Sequence, residues 1–504
     1  MLRRLPRPLP LYPVSLAAYA VLFLYSSNLD QTSIDQVLPV LVGVVAVMAV
    51  LQVGLSVILR DAQKAALILG VAAAIFFGYH HLALIVRGTP FNPWGFRAVW
   101  VGMVALALVL LVFARGRLGL VTRGLNVLLG VLLLVSAITI IPHELSAGAA
   151  EVTHPAPAPS AIPIASLPPD TTLPDIYFFV FDRYGSERSI LLRYGITDND
   201  LYDWLEDNGF YVARNSHANY HSTSESINST LNMAFLSDLE PGSLRDHAVG
   251  RFLKGLGYTY THIGSNFGPD QTADRADRNM GVERVSDFAA AFYDASLLPR
   301  LAALVGQGPA DPARERQHVW TTFDLQTFAD VQSTPGPKFV FGHVLLPHPP
   351  YIYDRTGRYL TAAESARMSK SDAYNEQMLY LDDRLKKILE PLLALPEAKR
   401  PIIILEADEG PYPAAYEKGG RAWDWVKAST EDLKIKYGIL NAQFWPGVKD
   451  TGLYQSISSV NTFRLLFSKY FGADLPLLPD KAFAPSSSST GHQIEISDRL
   501  GPDQ

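Results

Sequence analysis

Five apolar runs crowd the first 145 residues of this 504-residue chain, near 11–27, 37–59, 64–86, 98–114 and 124–142. Each is about long enough to cross a hydrocarbon core of roughly 30 Å. A bilayer satisfies no backbone N–H or C=O group, so spanning segments of this kind are helices. A cleaved signal peptide accounts for at most the first run, and the small-residue cleavage pattern is missing there. The expectation is a five-helix transmembrane bundle over residues 1–145, with the short first and fourth runs as its weakest spans.

Loop charges give the bundle a direction. Arg3, Arg4, Arg7, Arg60, Lys64, Arg115, Arg117 and Arg123 fall on one side, while the other carries only Arg87 and Arg97 beside Asp30, Asp35, Glu144 and Glu151. By the positive-inside rule the N-terminus is cytoplasmic, and an odd number of spans delivers the rest of the chain outside. The expected location is therefore a bacterial-type cytoplasmic (inner) membrane, crossed several times, with a periplasmic or extracellular C-terminal domain. His80 and His81 sit inside the third run, where an ionisable residue is a functional candidate. The blander reading sets them at the outer interface, near the Trp94 loop. The chain has no Cys, which excludes thiol catalysis, Cys-ligated zinc and disulfides. A net charge of −6 gives no sign of a nucleic-acid partner.

Residues 146–174 form a linker, in which "THPAPAPSAIPIASLPPDTTLP" is too rich in Pro and Ala to build a core. Beyond it, near-continuous apolar runs recur at 175–181, 258–264, 338–346, 401–407 and 436–444. Such runs fit strands buried on both faces of a parallel or mixed sheet. Helical patterns lie between them, at 198–209, 243–257 and 364–392. The alternation predicts an α/β sandwich domain with a mostly parallel sheet over residues 171–485, followed by a polar tail, 486–504.

Ligands of open α/β sheets gather beyond the carboxyl ends of the strands. The first run ends in Asp182, the third in "HVLLPHPPY" with His343 and His348, and the fourth in "EADEGPYP" with Asp408 and Glu409. A single Asp after a strand is usually a turn or helix cap. Adjacent acids at the end of a buried strand repel each other unless a cation or basic group compensates. The stretch "NYHSTSESINST" (219–230) adds seven hydroxyl side chains in twelve residues, a density that marks a helix start as readily as a nucleophile.

In order and spacing, "PDIYFFVFDRYG", "LYDWLEDNGFYVARNSHANYHSTSESINSTLNM", "FGHVLLPHPPY" and "PIIILEADEGPYP" resemble the sulfatase and alkaline-phosphatase superfamily. The membrane spans ahead of them resemble its lipoteichoic acid synthase and phosphoethanolamine transferase branch. The resemblance implies an alkaline-phosphatase-like domain holding one divalent metal ion (Mn, Mg, Ca or Zn) on Asp182, Thr223, Asp408 and Glu409. It makes Thr223 the nucleophile and His348 the second catalytic residue, with Ser226, His343 and Arg183 binding substrate. The implied activity moves a phosphoethanolamine- or phosphoglycerol-type group from a membrane lipid donor to an envelope glycan or lipid acceptor, through a phospho-threonine intermediate.

The sequence departs from the family in three ways. No Cys/Ser-x-Pro-x-Arg motif is present, which removes formylglycine chemistry. Glu409 stands where His is usual, shifting the site toward carboxylates. The family's later His has no match between 411 and 491. A metal-dependent phosphodiesterase or phosphatase of the same fold, and a non-catalytic envelope-binding module, remain open beside the transferase.

Overall fold

The computed structural model describes residues 8–29, 32, 34–86, 102, 105, 118–153, 173–239, 242–282, 287–304, 311–419, 423–485 and 493–500. By compactness the chain forms two units, Met1–Pro155 with Glu283–Ala313, and Ala156–Val282 with Arg314–Gln504.

Four of the five apolar runs are helices, α1 (Tyr12–Ser26), α2 (Ile34–Leu59), α3 (Ala62–Val86) and α4 (Leu118–Thr153). Three of them, α2, α3 and α4, are long and apolar enough to cross a membrane, and α1 is a shorter apolar helix. Except at 102 and 105, the fourth run lies outside the described residues, as do the side chains of His80 and His81. A helix start leaves backbone N–H groups without intrahelical partners. In α1 the Asn126 side chain of α4 answers this: its Oδ1 accepts from Leu11 N (3.2 Å) and Tyr12 N (2.9 Å), while its Nδ2 donates to Leu9 O (2.8 Å). Near the other end the Tyr25 hydroxyl donates to Glu144, so α1 and α4 are fastened at both ends.

The second unit is built on a seven-stranded mixed sheet of order β2-β7-β6-β1-β5-β3-β4. The strands are β1 (Ile176–Phe181), β2 (Tyr211–Val212), β3 (Thr259–Ile263), β4 (Arg278–Met280), β5 (Lys338–Val344), β6 (Ile402–Ala407) and β7 (Asn441–Phe444). β1 lies parallel to both β5 and β6, β3 and β4 extend the parallel set, and β7 pairs antiparallel with β6 and β2. All six residues of β1 are buried, alternating between two cores. Tyr177, Phe179 and Phe181 face the helices Pro312–Asp330 and Lys370–Leu393, while Ile176, Phe178 and Val180 face α5 (Thr223–Asn232) and the helix Thr462–Phe471. Helices on both faces are why the strands read as unbroken apolar runs.

Two predicted elements change. The 436–444 run is strand only over Asn441–Phe444, because Ser429 and Asp432 form a capping box that starts a helix running through Tyr437. The 364–392 pattern is two helices, since Ser369 caps a new start at Lys370. Within the polar tail, β9 (Gln493–Glu495) pairs with β8 (Phe483–Pro485).

The remaining described helices of the first unit are α6 (Asp287–Ala295) and α7 (Leu298–Leu304), which are inserted in sequence between β4 and β5. Phe288 is buried among Val21, Tyr25, Val37 and Ile140, and Leu297 N donates to Phe76 O (3.0 Å).

One close approach sets the sheet against its covering helix. A Cβ on Gly342 of β5 would lie 2.2 Å from Cε1 of Phe328, whose ring stacks on Phe179 with centroids 3.9 Å apart. Gly342→Val should therefore overpack this layer and destabilise the second unit by about 1–3 kcal/mol. Denaturant unfolding measures the change.

Candidate metal and phosphoryl-transfer site

Asp182 follows β1, His343 lies in β5, and Asp408 follows β6, so three adjacent parallel strands bring them to one edge of the sheet. One ligand atom from each lies within 4.8 Å of the others, and all three residues are buried. Asp182 Oδ1, His343 Nε2 and Asp408 Oδ2 have no hydrogen-bond partner. Buried polar atoms normally find partners, so three orphans facing one another fit a cation held between them.

The donor set is one imidazole nitrogen and two carboxylates. That suits Zn²⁺ or Mn²⁺ better than Ca²⁺, which takes six to eight oxygens. Behind it, His343 Nδ1 meets Asp270 Oδ2 at 2.5 Å, and Ser265 Oγ donates to Asp270 Oδ1 (2.8 Å). A carboxylate behind a ligating His fixes its tautomer and ring orientation. In sequence Asp270 ends "GSNFGPD", whose Gly and Pro mark a turn and give no sign of the partnership with His343. His262 Nε2 meets the Asp270 carbonyl at 2.6 Å, tying that turn to β3.

Thr223 opens α5 as its first residue, and its hydroxyl favours the ionised form of the Asp408 carboxyl against the burial that raises its pKa. The preceding residue, Ser222, donates to Glu225 (2.8 Å). Ser226 is buried, with its hydroxyl proton donated to the Tyr220 carbonyl (3.1 Å). His348 Nε2 lies 3.9 Å from Asp182 Oδ2. Burial first, and then Arg183, hold the His348 imidazole neutral, well below its ordinary pKa. Gln317 and Gln377 both donate to the His348 carbonyl at 3.0 Å, fixing its loop.

Glu409 is committed elsewhere. Its Oε1 accepts from Arg183 Nε (3.0 Å) and lies 2.7 Å from Lys436 Nζ. The Arg183 guanidinium and the Lys436 ammonium both lie over the Tyr412 ring, 3.8 and 3.9 Å from its centroid. Burial opposes ionisation of Glu409, but Lys436 and Arg183 overcome it and hold its pKa below the usual carboxylate range. Removing both partners would leave Glu409 an uncompensated buried charge. Lys436 was hidden in sequence, inside a run that reads as a strand.

Arg183 has φ of 64°, the left-handed region that costs a non-Gly residue about 1–3 kcal/mol. In that conformation its amide donates to Asp408 Oδ1 (3.3 Å), linking the ends of β1 and β6. Gly410 permits the same junction on the other side: a Cβ there would lie 2.3 Å from Ile435 O, and its amide donates to Lys436 O (2.8 Å).

The ligand residues keep their protons past ordinary values. Burial raises Asp182 to about 6, and burial also raises Asp408 well above the ordinary carboxylate value. Burial works against charging His343, but Asp270 prevails and raises it to about 9. A divalent cation must displace these protons. Its affinity should therefore strengthen as pH rises from about 6 to about 9, as Asp182 and then His343 give up their protons. Titration calorimetry with Mn²⁺ or Zn²⁺ across that range reads it, and a pH-independent affinity would contradict it.

No family model matches the chain, and no curated protein does. Among solved structures it is similar to the C-terminal periplasmic domain of EcEptC from Escherichia coli, at 16% identity and a TM-score of 0.42, covering 67% of this chain and 97% of that one. It is also similar to the integral membrane lipooligosaccharide phosphoethanolamine transferase A (EptA) from Neisseria meningitidis, at 13% identity and 0.43, covering 92% and 94%. A third likeness is to phosphonate monoester hydrolase of Agrobacterium radiobacter, at 13% identity and 0.40, covering 62% and 80%.

Proposed function

We propose that the chain is a membrane-anchored, metal-dependent transferase that moves a phospho-substituted headgroup, of phosphoethanolamine or phosphoglycerol type, from a lipid donor to an envelope glycan or lipid. The single observation that carries this reading is the buried Asp-His-Asp cluster with three orphaned ligand atoms, whose Asp408 carboxyl feels the hydroxyl of Thr223 at the start of a ten-residue helix. The first unit is read as a multi-pass anchor with a cytoplasmic N-terminus, which tethers the second unit to the membrane that supplies the donor.

Asp182, His343 and Asp408 would hold the cation, with Thr223 beside them. A divalent cation supplies a lowered hydroxyl pKa and an electrostatic partner for phosphoryl oxygens. Asp408 orients the Thr223 hydroxyl and draws on its proton. Thr223 Oγ1 attacks phosphorus, the bond from phosphorus to the lipid oxygen breaks, and the lipid alcohol leaves with a proton. His348, neutral and 3.9 Å from Asp182, offers an N–H to the leaving oxygen. Arg183, held by Glu409 and 14% exposed in its side chain, would offer its remaining guanidinium nitrogens to the non-bridging oxygens. The amides of the first turn of α5 add their positive end. An acceptor hydroxyl then attacks the same phosphorus, and Thr223 Oγ1 departs and recovers its proton.

Water in place of the acceptor would make the same site a phosphodiesterase, and product analysis with and without acceptor separates the two. The engagement of Glu409 by Arg183 and Lys436 favours the non-catalytic binding reading, because it removes one expected cation ligand.

Thr223→Ala should abolish transfer, by at least 10³-fold on the scale of lost covalent catalysis, while the protein folds and inserts normally. Thr223→Ser should keep measurable activity. Labelled donor and intact-protein mass spectrometry check both outcomes. Full activity in Thr223→Ala would remove Thr223 from the nucleophile's role.

A further inference from the structure

The first unit carries a half-open apolar cavity of about 340 Å³ between α1, α3 and the inserted helix α6. Its walls include Tyr19 and Phe23 of α1, Ala74 and Phe77 of α3, and Phe292 and Ala295 of α6. Small residues create the space. A Cβ on Gly78 would meet nothing within 4 Å, and Ala20, Ala74 and Ala295 leave the rest open. The aromatic walls are set by contact: Phe292 lies on Phe77 with centroids 5.7 Å apart, and Tyr19 on Phe23 at 5.6 Å.

Protein interiors are close-packed, with few voids larger than a water molecule. An empty space more than twice the roughly 150 Å³ of a cavity known to take small apolar ligands would forfeit dispersion contacts along every wall. Water is a poor filler, because it needs two to four polar partners. The hydroxyl of Ser296 at the rim is already engaged, donating to Tyr293 O (2.7 Å) and accepting from Leu298 N (3.1 Å). The volume falls within the range of about 300–1,000 Å³ typical of ligand pockets. The occupant is therefore apolar, and for helices of membrane-crossing length the surrounding medium supplies only one apolar filler in quantity.

The cavity also has a position along the bundle. It lies at residues 16–24 of α1 and 74–78 of α3, toward the ends that the loop charges direct outward. α6 closes it from a segment that sequence places between two strands of the sheet, β4 and β5. We infer that this cavity binds one acyl chain of an outer-leaflet membrane lipid, with α6 as its clamp. The inference deepens the lipid-donor reading by naming where a donor's hydrocarbon tail is held. It rests on the membrane reading of the first unit and not on the transfer chemistry.

The full-length protein in nanodiscs, containing phosphatidylethanolamine or phosphatidylglycerol with a photoactivatable diazirine on one acyl chain, tests this. Peptide mapping after irradiation should find labels enriched at least fivefold at Phe77, Phe292 and Ala295 over Val50, Val57 and Ile58, which are exposed on α2 at 71%, 71% and 76%. The filling variant Gly78→Leu/Ala295→Leu should lose that enrichment while α2 labelling and thermal unfolding stay unchanged. Uniform labelling of cavity and α2, or unchanged enrichment in the filled variant, would overturn the proposal. If the filled variant misfolds, Ala20→Leu alone gives the same reading from α1. Enrichment with no headgroup transfer in any assay would leave this inference standing and count against the transferase reading.

Discussion

Two of three adjacent parallel strands deliver carboxyl groups to one buried end of the sheet, and the rest of the second unit is arranged around the repulsion this creates. Asp182, Asp408 and Glu409 all end strands β1 and β6, with Asp270 close behind His343. Burying several like charges is prohibitive unless each is paired, protonated or bound to a cation. The chain divides the problem. Arg183 and Lys436 take Glu409, Asp270 pairs with His343 Nδ1, and Asp182, Asp408 and the other imidazole nitrogen are left facing one another.

Backbone geometry follows from that division. Arg183 adopts a left-handed conformation in which its amide reaches Asp408 while its side chain reaches Glu409. Gly410 admits the Ile435 and Lys436 carbonyls where no side chain would fit, which carries the Lys436 ammonium to Glu409 and the Tyr412 ring. α5 begins at Thr223, so a hydroxyl and a helix N-terminus arrive at the cluster together. These are local strains and close approaches, and they persist because the two cores on either side of the sheet hold every strand of the junction.

Much of this was legible in the chain. Unbroken apolar runs gave β1, β3, β5 and β6, because strands covered on both faces have no polar side to show. The acids and imidazoles at their ends were visible by position. What could not be read depended on contacts between distant segments. Lys436 lay in a run that looks like a strand until the Ser429–Asp432 box is recognised as a helix start. Asp270 sat in a Gly- and Pro-containing stretch whose turn chemistry hides its partner seventy-three residues away. β2 and β4 are two and three residues long, too short for any periodicity to register. The joining of α6 and α7 to the first unit left no local mark, because their apolar residues match those of any buried helix.

The central claim is the assignment of the cation to Asp182, His343 and Asp408, with Glu409 neutralised by Arg183 and Lys436. Metal analysis of purified folded protein, wild type beside His343→Ala and Glu409→Gln, tests it most directly. The account predicts about one Mn²⁺ or Zn²⁺ per chain in the wild type and in Glu409→Gln, and a loss of at least tenfold in affinity for His343→Ala. Metal lost from Glu409→Gln and kept by His343→Ala would contradict it.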